Sequence, residues 1–572
     1  MPEGPAYKAI AARKVAERDA LIPPEWRLKE LPPPSQLSVL DVPRTCGILT
    51  PDELRITELP DATSLLSEVH SGRLKALDVA RAFCKRAAVA QQLTNCLTEI
   101  FFAPALARAA ELDAHFARHG TPLGPLHGLP VSLKDTFRVR GVDASIGLAA
   151  LCGRPSAANA TLVDTLLAAG AVLYCKTNVP QTMMALDSHN YVFGRTVNPA
   201  NRLLTAGGSS GGEGALVAMR GSLLGVGTDV GGSVRIPAMC HGLVGVKPSH
   251  GRVSYAGLEG GARAGSESVG VRASAGPIAW SVRDCELFMR VVGEGRGWEV
   301  DPEVVPMEWR GGRALGKRED VLRVGVVRTD GVTTPLPPIQ GFLEEVVQKL
   351  NRSGRVEIVE LEVEGLMKQC ASLVNKMFSI DGANQMFDLI EATGEPLSPW
   401  LQSRLTRRPQ ASVDRVIDLQ GQRNALQTRF AKVWTGQGGF WKGAKRDDGK
   451  TLDVLIAPVA PHPLPEIDRW NTAAYTSSFV LLDYPAATLP VRKMGERDLK
   501  GEIKDKTPIS NWDKYNMTLW DNVDRQVYLD TPLCLQIIGQ RLQDEKVLEA
   551  MTVLDDVLGG PSGSTRGIRA QL

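Results

Sequence analysis

The sequence predicts an α/β protein in which a single large mixed β-sheet forms the core and helices cover it. Two observations lead there. Segments with apolar residues at every third or fourth position alternate with short apolar runs of strand length, the texture of helices packed on a buried sheet. No repeat with a period of roughly 20–50 residues and no low-complexity linker divides the 572 residues, so the strands are expected to share one core.

The elements follow in chain order. Residues 1–44 read as an N-terminal helical and extended arm ahead of a main unit spanning 45–560. LKALDVARAFCKRAAVAQQL and APALARAAELDAHFARHG carry the periodicity of amphipathic surface helices. A glycine-rich core occupies about 125–255; within it LPVSLKDTF reads as a buried strand ending in a lysine and AGAVLYCKT as another. DVLRVGVVRTDG (320–331) gives a further strand, and a helical region of about 335–435 is expected on the substrate side. The polar segments 436–450 and 493–516 read as surface loops or insertions. DVLIAPVAP and FVLLDYPAATLPV return to buried strands, LQDEKVLEAMTVLDDVLGG closes the unit as a helix, and 561–572 form a tail.

Composition narrows the class of function. With 43% hydrophobic and 23% charged residues the chain is an ordinary soluble protein. A net charge of +2 lacks the basic surplus of a nucleic-acid partner. The nine cysteines form no CxxC unit and no disulfide framework, which points to a reducing, cytoplasmic setting. The eight histidines have no metal-ligand spacing, so neither metal nor cofactor is expected. No signal-peptide core is present and no run reaches about 18 apolar residues, so no transmembrane segment is expected.

The chemistry is concentrated around GGSSGGEGA at 207–215. A flexible linker would not run straight into the helical EGALVAMR. A phosphate loop needs a lysine after the glycines, and none follows. In a dinucleotide fingerprint Gly225 and Gly227 would fit, but the sixth position is Val230. A nucleophile elbow is satisfied twice, by Gly207, Ser209 and Gly211 and by Gly208, Ser210 and Gly212. It requires a preceding strand, where NPANRLLTA reads as a loop, and a base from among His241, His250 and His462. A fourth reading uses more of the chain: Ser209 and Ser233 lie in glycine-lined loops, with Lys134 at a strand end upstream. The backbone N–H groups of Val230, Gly231, Gly232 and Ser233 compose an anion-binding nest, with Ser233 as nucleophile.

GGSSGGEGALVAMRGSLLGVGTDVGGSVRIPAMCHGLVGVKPSHGR resembles the signature of the amidase signature family, and HGLPVSLKD resembles that family's lysine motif. The likeness continues through NVPQTMM, DVLIAPVAP, DYPAATLPV and PLCLQIIGQ, and GGSSGGEGA resembles the branch of fungal acetamidase-like amidases and fatty acid amide hydrolases. The resemblance implies the amidase signature fold and a Ser–cisSer–Lys triad: Lys134, Ser209 on a cis peptide bond, and the nucleophile Ser233. It also implies an oxyanion loop at 230–233, a backbone contact to the site from Met183, and homodimers acting on small-molecule amides.

The physical demand of that triad falls on the lysine. Free lysine is only about 0.04% neutral at pH 7, and lowering its pKa to roughly 7 costs about 4.6 kcal/mol. Burial supplies that if no carboxylate counters it, and Asp135, next along the strand, is expected on the opposite face. Asp229 and Arg235 are expected to form an ion pair holding the oxyanion loop. Met183, Met184 and Leu186 read as core, and Trp434, Phe440, Trp441, Tyr475 and Tyr484 as packing. The expected reaction is hydrolysis of small to medium or aryl amides, since the amino terminus lacks the membrane-spanning segment of long-chain fatty amide hydrolases. The alternatives are a fatty acid amide hydrolase, a histidine-dependent esterase, an amidotransferase subunit and an inactive binding protein.

Overall fold

The computed structural model describes residues 5–263, 265–311, 321–442, 449, 451–470 and 472–560. The expected tail 561–572 lies outside the described residues, as does part of 436–450. Thirteen strands occur among them: β1 Leu97–Ile100, β2 Pro130–Lys134, β3 Val172–Thr177, β4 His189–Asn190, β5 Gly194–Arg195, β6 Leu224–Asp229, β7 Val244–Lys247, β8 Ser274–Ala279, β9 Leu322–Val326, β10 Val356–Glu360, β11 Val454–Pro458, β12 Ala486–Lys493 and β13 Pro532–Ile538. Eleven form one sheet in the order β1-β3-β2-β6-β8-β7-β12-β13-β11-β9-β10, while β4 and β5 pair separately. The sheet is mixed: β2 runs parallel to β3 and β6, β9 parallel to β10 and β11, and the other neighbours are antiparallel.

The two faces of the sheet differ in chemistry because side chains alternate along each strand. One face presents Val131, Leu133, Leu224, Val226, Ala275, Val246, Leu489 and Ile537 to a continuous apolar core, closed by the helices Val282–Glu294, Pro337–Arg352 and Asp544–Leu558. The other presents Ser132, Lys134, Gly225, Gly227 and Asp229, all buried. Here the short helices Gly211–Ala218 and Arg235–His241 sit low on the strands. Glycine makes that approach possible. A Cβ on Gly227 would stand 2.7 Å from Ser210 Oγ, and one on Gly225 would collide with the Glu213 carboxylate. These are the two glycines that partly mimic a dinucleotide fingerprint; their role is close packing.

Three expectations need correction. FVLL forms the end of the helix Ala474–Leu481 and its C-cap Leu482, every residue of that helix is buried, and only Ala486–Lys493 is strand. A short apolar run has no period to tell a buried helix from a strand. The segment 493–516 is not simply a surface insertion: Leu499, Asp513 and Asn516 are buried, Asp513 accepts from Thr334 N at 2.7 Å, and Asn516 Nδ2 donates to Thr334 O at 2.8 Å. The helix Ala76–Thr94 is not a surface helix, since 14 of its 19 residues are buried. Its alanines allow the helices Pro51–Thr57, Phe102–His119 and Gly211–Ala218 to pack around it.

The N-terminal helix Ala6–Ala20 is anchored by charge as well as packing. Lys14 Nζ reaches Glu99 at 2.6 Å and Asp143 at 2.7 Å with little exposure of any of the three. Among the aromatic residues, Trp434 Nε1 donates to the Tyr484 hydroxyl at 3.2 Å, Trp441 Nε1 to Val433 O at 2.7 Å, and Tyr475 OH to Thr333 O at 2.9 Å.

Candidate active site

Lys134 closes β2 and is fully buried. Its Nζ lies 2.7 Å from Ser209 Oγ and 2.8 Å from Thr228 Oγ1. Asp135 turns the other way, accepting from Thr98 Oγ1 and Ser145 Oγ at 2.7 and 2.8 Å and lying 3.5 Å from Lys176. Burial drives the Lys134 ammonium down to about 7, against the opposing pull of Asp229 and Glu213.

Ser209 follows Gly208 through a cis peptide bond and is 2% exposed. Gly208 is wedged against the 185–187 backbone, where an added Cβ would stand 2.5 Å from Ala185 O. Ser210 N donates to Ser233 O at 3.2 Å, tying the first serine loop to the second. Ser233 is 6% exposed and precedes the helix Arg235–His241.

Asp229 shapes the loop before Ser233. Its carboxylate accepts from Gly232 N at 2.7 Å and Val234 N at 3.1 Å, and from Arg235 Nε and Nη2 at 3.0 and 2.9 Å. Burial pushes this carboxyl up, but the Arg235 guanidinium overrides it and holds it at about 2. Arg235 in turn donates to Thr476 O and Gln536 Oε1. The N–H of Gly232 is therefore directed at Asp229, whereas those of Val230, Gly231 and Ser233 have no acceptor among the described residues. Phe378 covers this loop, its ring 3.6 Å from where a Gly231 Cβ would stand.

Met183 and Thr182 both have left-handed backbones, φ 60° and 68°. Met183 stands two residues before the Ala185 carbonyl that packs Gly208, and its side chain joins Ile146, Leu148, Met386 and Ile390. Met184 is 37% exposed and Leu186 is core. None of the three histidines considered for an elbow is hydrogen-bonded to Ser209, Ser210 or Ser233. His241 Nδ1 is bonded to Pro237 O and His462 Nδ1 to Pro463 O, both at 2.8 Å, and burial lowers each to about 4. His250 Nδ1 bonds Ala273 O. The residues before Ser209 are loop rather than strand. Among the described residues, no group of three histidine, cysteine or carboxylate side chains is placed to hold a metal ion.

Two residues in this neighbourhood escape a reading by motif. Thr228, the second partner of Lys134, sits one residue from Asp229 and looks like an ordinary strand threonine. Glu213 is fully buried between Ser132 Oγ at 2.6 Å and Thr177 Oγ1 at 2.9 Å. The signal for it was available: it is the sole charge in a run of glycine, serine and alanine at 207–215.

A long mixed sheet whose glycine-lined face holds two serine loops over a buried lysine is the architecture of amidase signature enzymes. The chain belongs to the Amidase family, whose model matches residues 78–548, and it is an amidase, an enzyme of amide hydrolysis. It is 37% identical over 559 residues to the acetamidase of Aspergillus oryzae, covering 97% of this chain and 99% of that one. It is 36% identical over 564 residues to the acetamidase of Emericella nidulans, covering 98% and 99%. A solved fatty acid amide hydrolase superposes with a TM-score of 0.85 at 31% identity, covering 97% of this chain and 95% of that one. No helix among the described residues is long and apolar enough to cross a membrane.

Proposed function

We propose that the enzyme cleaves carboxamides to the acid plus ammonia or amine through an acyl-enzyme on Ser233. The 2.7 Å contact between Lys134 Nζ and Ser209 Oγ, in a site dry enough to bring the lysine to about 7, carries the reading. In it Ser233 Oγ attacks the carbonyl carbon and passes its proton to Ser209 Oγ, which passes its own to neutral Lys134. The N–H groups of Val230, Gly231 and Ser233 hold the oxyanion, with Gly232 completing the turn through Asp229. The C–N bond breaks as the nitrogen takes the proton back through the same relay, and water attacks the acyl-enzyme by the reverse path. The Met183 segment flanks the cis peptide bond and supports the site from its backbone.

Small to medium or aryl amides are the substrates proposed, in keeping with the two acetamidases and with the Phe378 ring over the oxyanion loop. The likeness to a fatty acid amide hydrolase favours long-chain amides as the second reading. Residues 45–560 act as the catalytic unit, in a cytoplasmic homodimer; light scattering of the purified protein tests the dimer.

Fluorophosphonate labelling tests the mechanism: the label is expected on Ser233, and finding it on Ser209 or Ser210 overturns this assignment. Ammonia release from acetamide, benzamide and oleamide, with Ser233→Ala as blank, tests the substrate. A peak at oleamide selects the fatty-amide reading.

A further inference from the structure

We propose that Glu213 is a positioning residue for amide hydrolysis: held between Ser132 and Thr177 on the sheet face that carries Lys134, it sets the pH at which that lysine becomes the neutral base. The inference rests on the reading of Lys134 as the proton acceptor. Ser132 and Lys134 are two residues apart on β2 and so point to the same face, with side chains roughly 7 Å apart. Ser132 Oγ donates to Glu213 Oε2 at 2.6 Å and Thr177 Oγ1, from β3, to Oε1 at 2.9 Å. The carboxyl lies against Gly225 of β6, where a side chain would displace it. A packing role would call for an apolar residue here, yet the helix Gly211–Ala218 places an acid at a fully buried position.

The surroundings single out Lys134 as the charge that Glu213 feels. Burial raises Glu213 to about 7, and the hydroxyls and Lys134 oppose the rise. The other titratable groups on its side of β3 and β1, Tyr174, Cys175 and Cys96, are held neutral by burial, and so is Cys84 on the helix Ala76–Thr94. His241, on the helix Arg235–His241, packs against Gly214 and is kept neutral, as is Cys240 beside it. Arg86 is committed to Met219 O beyond the far end of the helix. Asp229, at the end of β6, is paired with Arg235, and β8 contributes no titratable group. An ionised Glu213 favours the ammonium and a protonated one favours the neutral amine, so the carboxyl and the lysine compete for a proton as the pH changes.

The test is the pH dependence of the rate at which a fluorophosphonate labels Ser233, from pH 5 to 9, each variant scaled to its own plateau. Glu213→Gln keeps the shape and an acceptor for the hydroxyls but cannot ionise. Its acidic limb is expected about one pH unit lower, the order for two buried unit charges on neighbouring positions of one sheet face, which reads as an increase of about tenfold in scaled rate at the foot of the limb. Ser132→Ala, which removes a hydrogen bond that favours the carboxylate, is expected to move the limb in the same direction by less. A limb that stays in place or moves up in Glu213→Gln overturns the proposal; if that variant does not melt cooperatively, the same outcomes in Ser132→Ala decide. Lys134→Met separates the two readings. Wild-type labelling in that variant removes Lys134 as the base and the present inference with it. Slow labelling there, together with an unmoved limb in Glu213→Gln, overturns the inference alone.

Discussion

Replacing Lys134 with methionine removes the proposed base and, at the same time, relieves a strained ionisation. The folded pKa of about 7 lies below the ordinary 10.5 because the cation is buried. Below pH 7 both folded and unfolded chains carry the proton, and the folded state bears the full cost of the buried ammonium. Between about 7 and 10.5 the unfolded chain holds the proton that the folded chain has lost, so stability rises with pH; above 10.5 the cost is gone. At about 1.36 kcal/mol per pH unit the gap is worth about 5 kcal/mol. Against it stand the hydrogen bonds to Ser209 and Thr228, which are worth about 1 kcal/mol each. Lys134→Met is therefore expected to be more stable than the wild type by about 3 kcal/mol at pH 6 and less stable by about 2 kcal/mol at pH 10.5 and above. Unfolding entropy for 572 residues is about 1.2 kcal/mol/K. The melting temperature of the variant should then lie about 2–3 °C above the wild type at pH 6 and about 2 °C below it at the alkaline end. Scanning calorimetry on both proteins across that range measures the crossing. A difference that does not change with pH would refute the reasoning, because it would mean that Lys134 enters the folded protein with its ordinary pKa.

Three further substitutions probe the surroundings of the site. Asp229→Asn strands Arg235 without a counter-ion in a fully buried position, at a cost of about 3–5 kcal/mol. It should lower both the melting temperature and kcat; a stable variant with wild-type kcat would remove Asp229 from any part in shaping the loop. His462→Ala should keep kcat/KM within about fivefold while losing about 2–4 kcal/mol of stability to the cavity beside Trp470. A loss of several orders of magnitude in rate would restore the histidine-dependent mechanism. Lys14→Met leaves Glu99 and Asp143 without their shared cation, again at about 3–5 kcal/mol. Faster proteolysis within Ala6–Ala20 and a lower melting temperature are expected, and unchanged values of both would show that the helix is held by packing alone.

Much of this protein was legible in the sequence because its elements follow rules of short range. The strands ending at Lys134 and Thr177 are short apolar runs, whereas Gly225 and Gly227 only fall short of a dinucleotide fingerprint in the sequence and show their close packing in the fold. The Asp229–Arg235 pair was visible as opposite charges flanking a glycine-lined serine. What escaped depends on three-dimensional neighbours. FVLL has no period, so only the strands and helices around it decide that it is helix. The burial of Ala76–Thr94 depends on helices both before and after it in the chain, and the bonds of Asp513 and Asn516 to a remote threonine leave no mark in the polar composition of their segment. The commitment of Gly232 N–H to Asp229 is likewise a matter of loop geometry. Sequence pattern places four consecutive donors there; the fold aims one of them elsewhere.

That commitment also bears on the base. Lys134 feels two carboxylates, and either of them fully unpaired would stabilise the ammonium and remove the proton acceptor. The fold answers in a different way for each. Asp229 stays ionised and still pulls on the lysine, but Arg235 and the backbone N–H groups of Gly232 and Val234 surround its oxygens, so that pull falls short of the cost of burial. Glu213 forms no ion pair among the described residues and feels Lys134 only through space, and burial draws it toward the protonated form instead. Pairing deals with one anion and protonation with the other, leaving desolvation as the largest influence on Lys134. The same Asp229 interactions bend the chain so that Gly231 and Ser233 present free N–H groups. One carboxylate thus connects the geometry proposed for the oxyanion to the neutrality proposed for the base, and a substitution there is expected to disturb both at once.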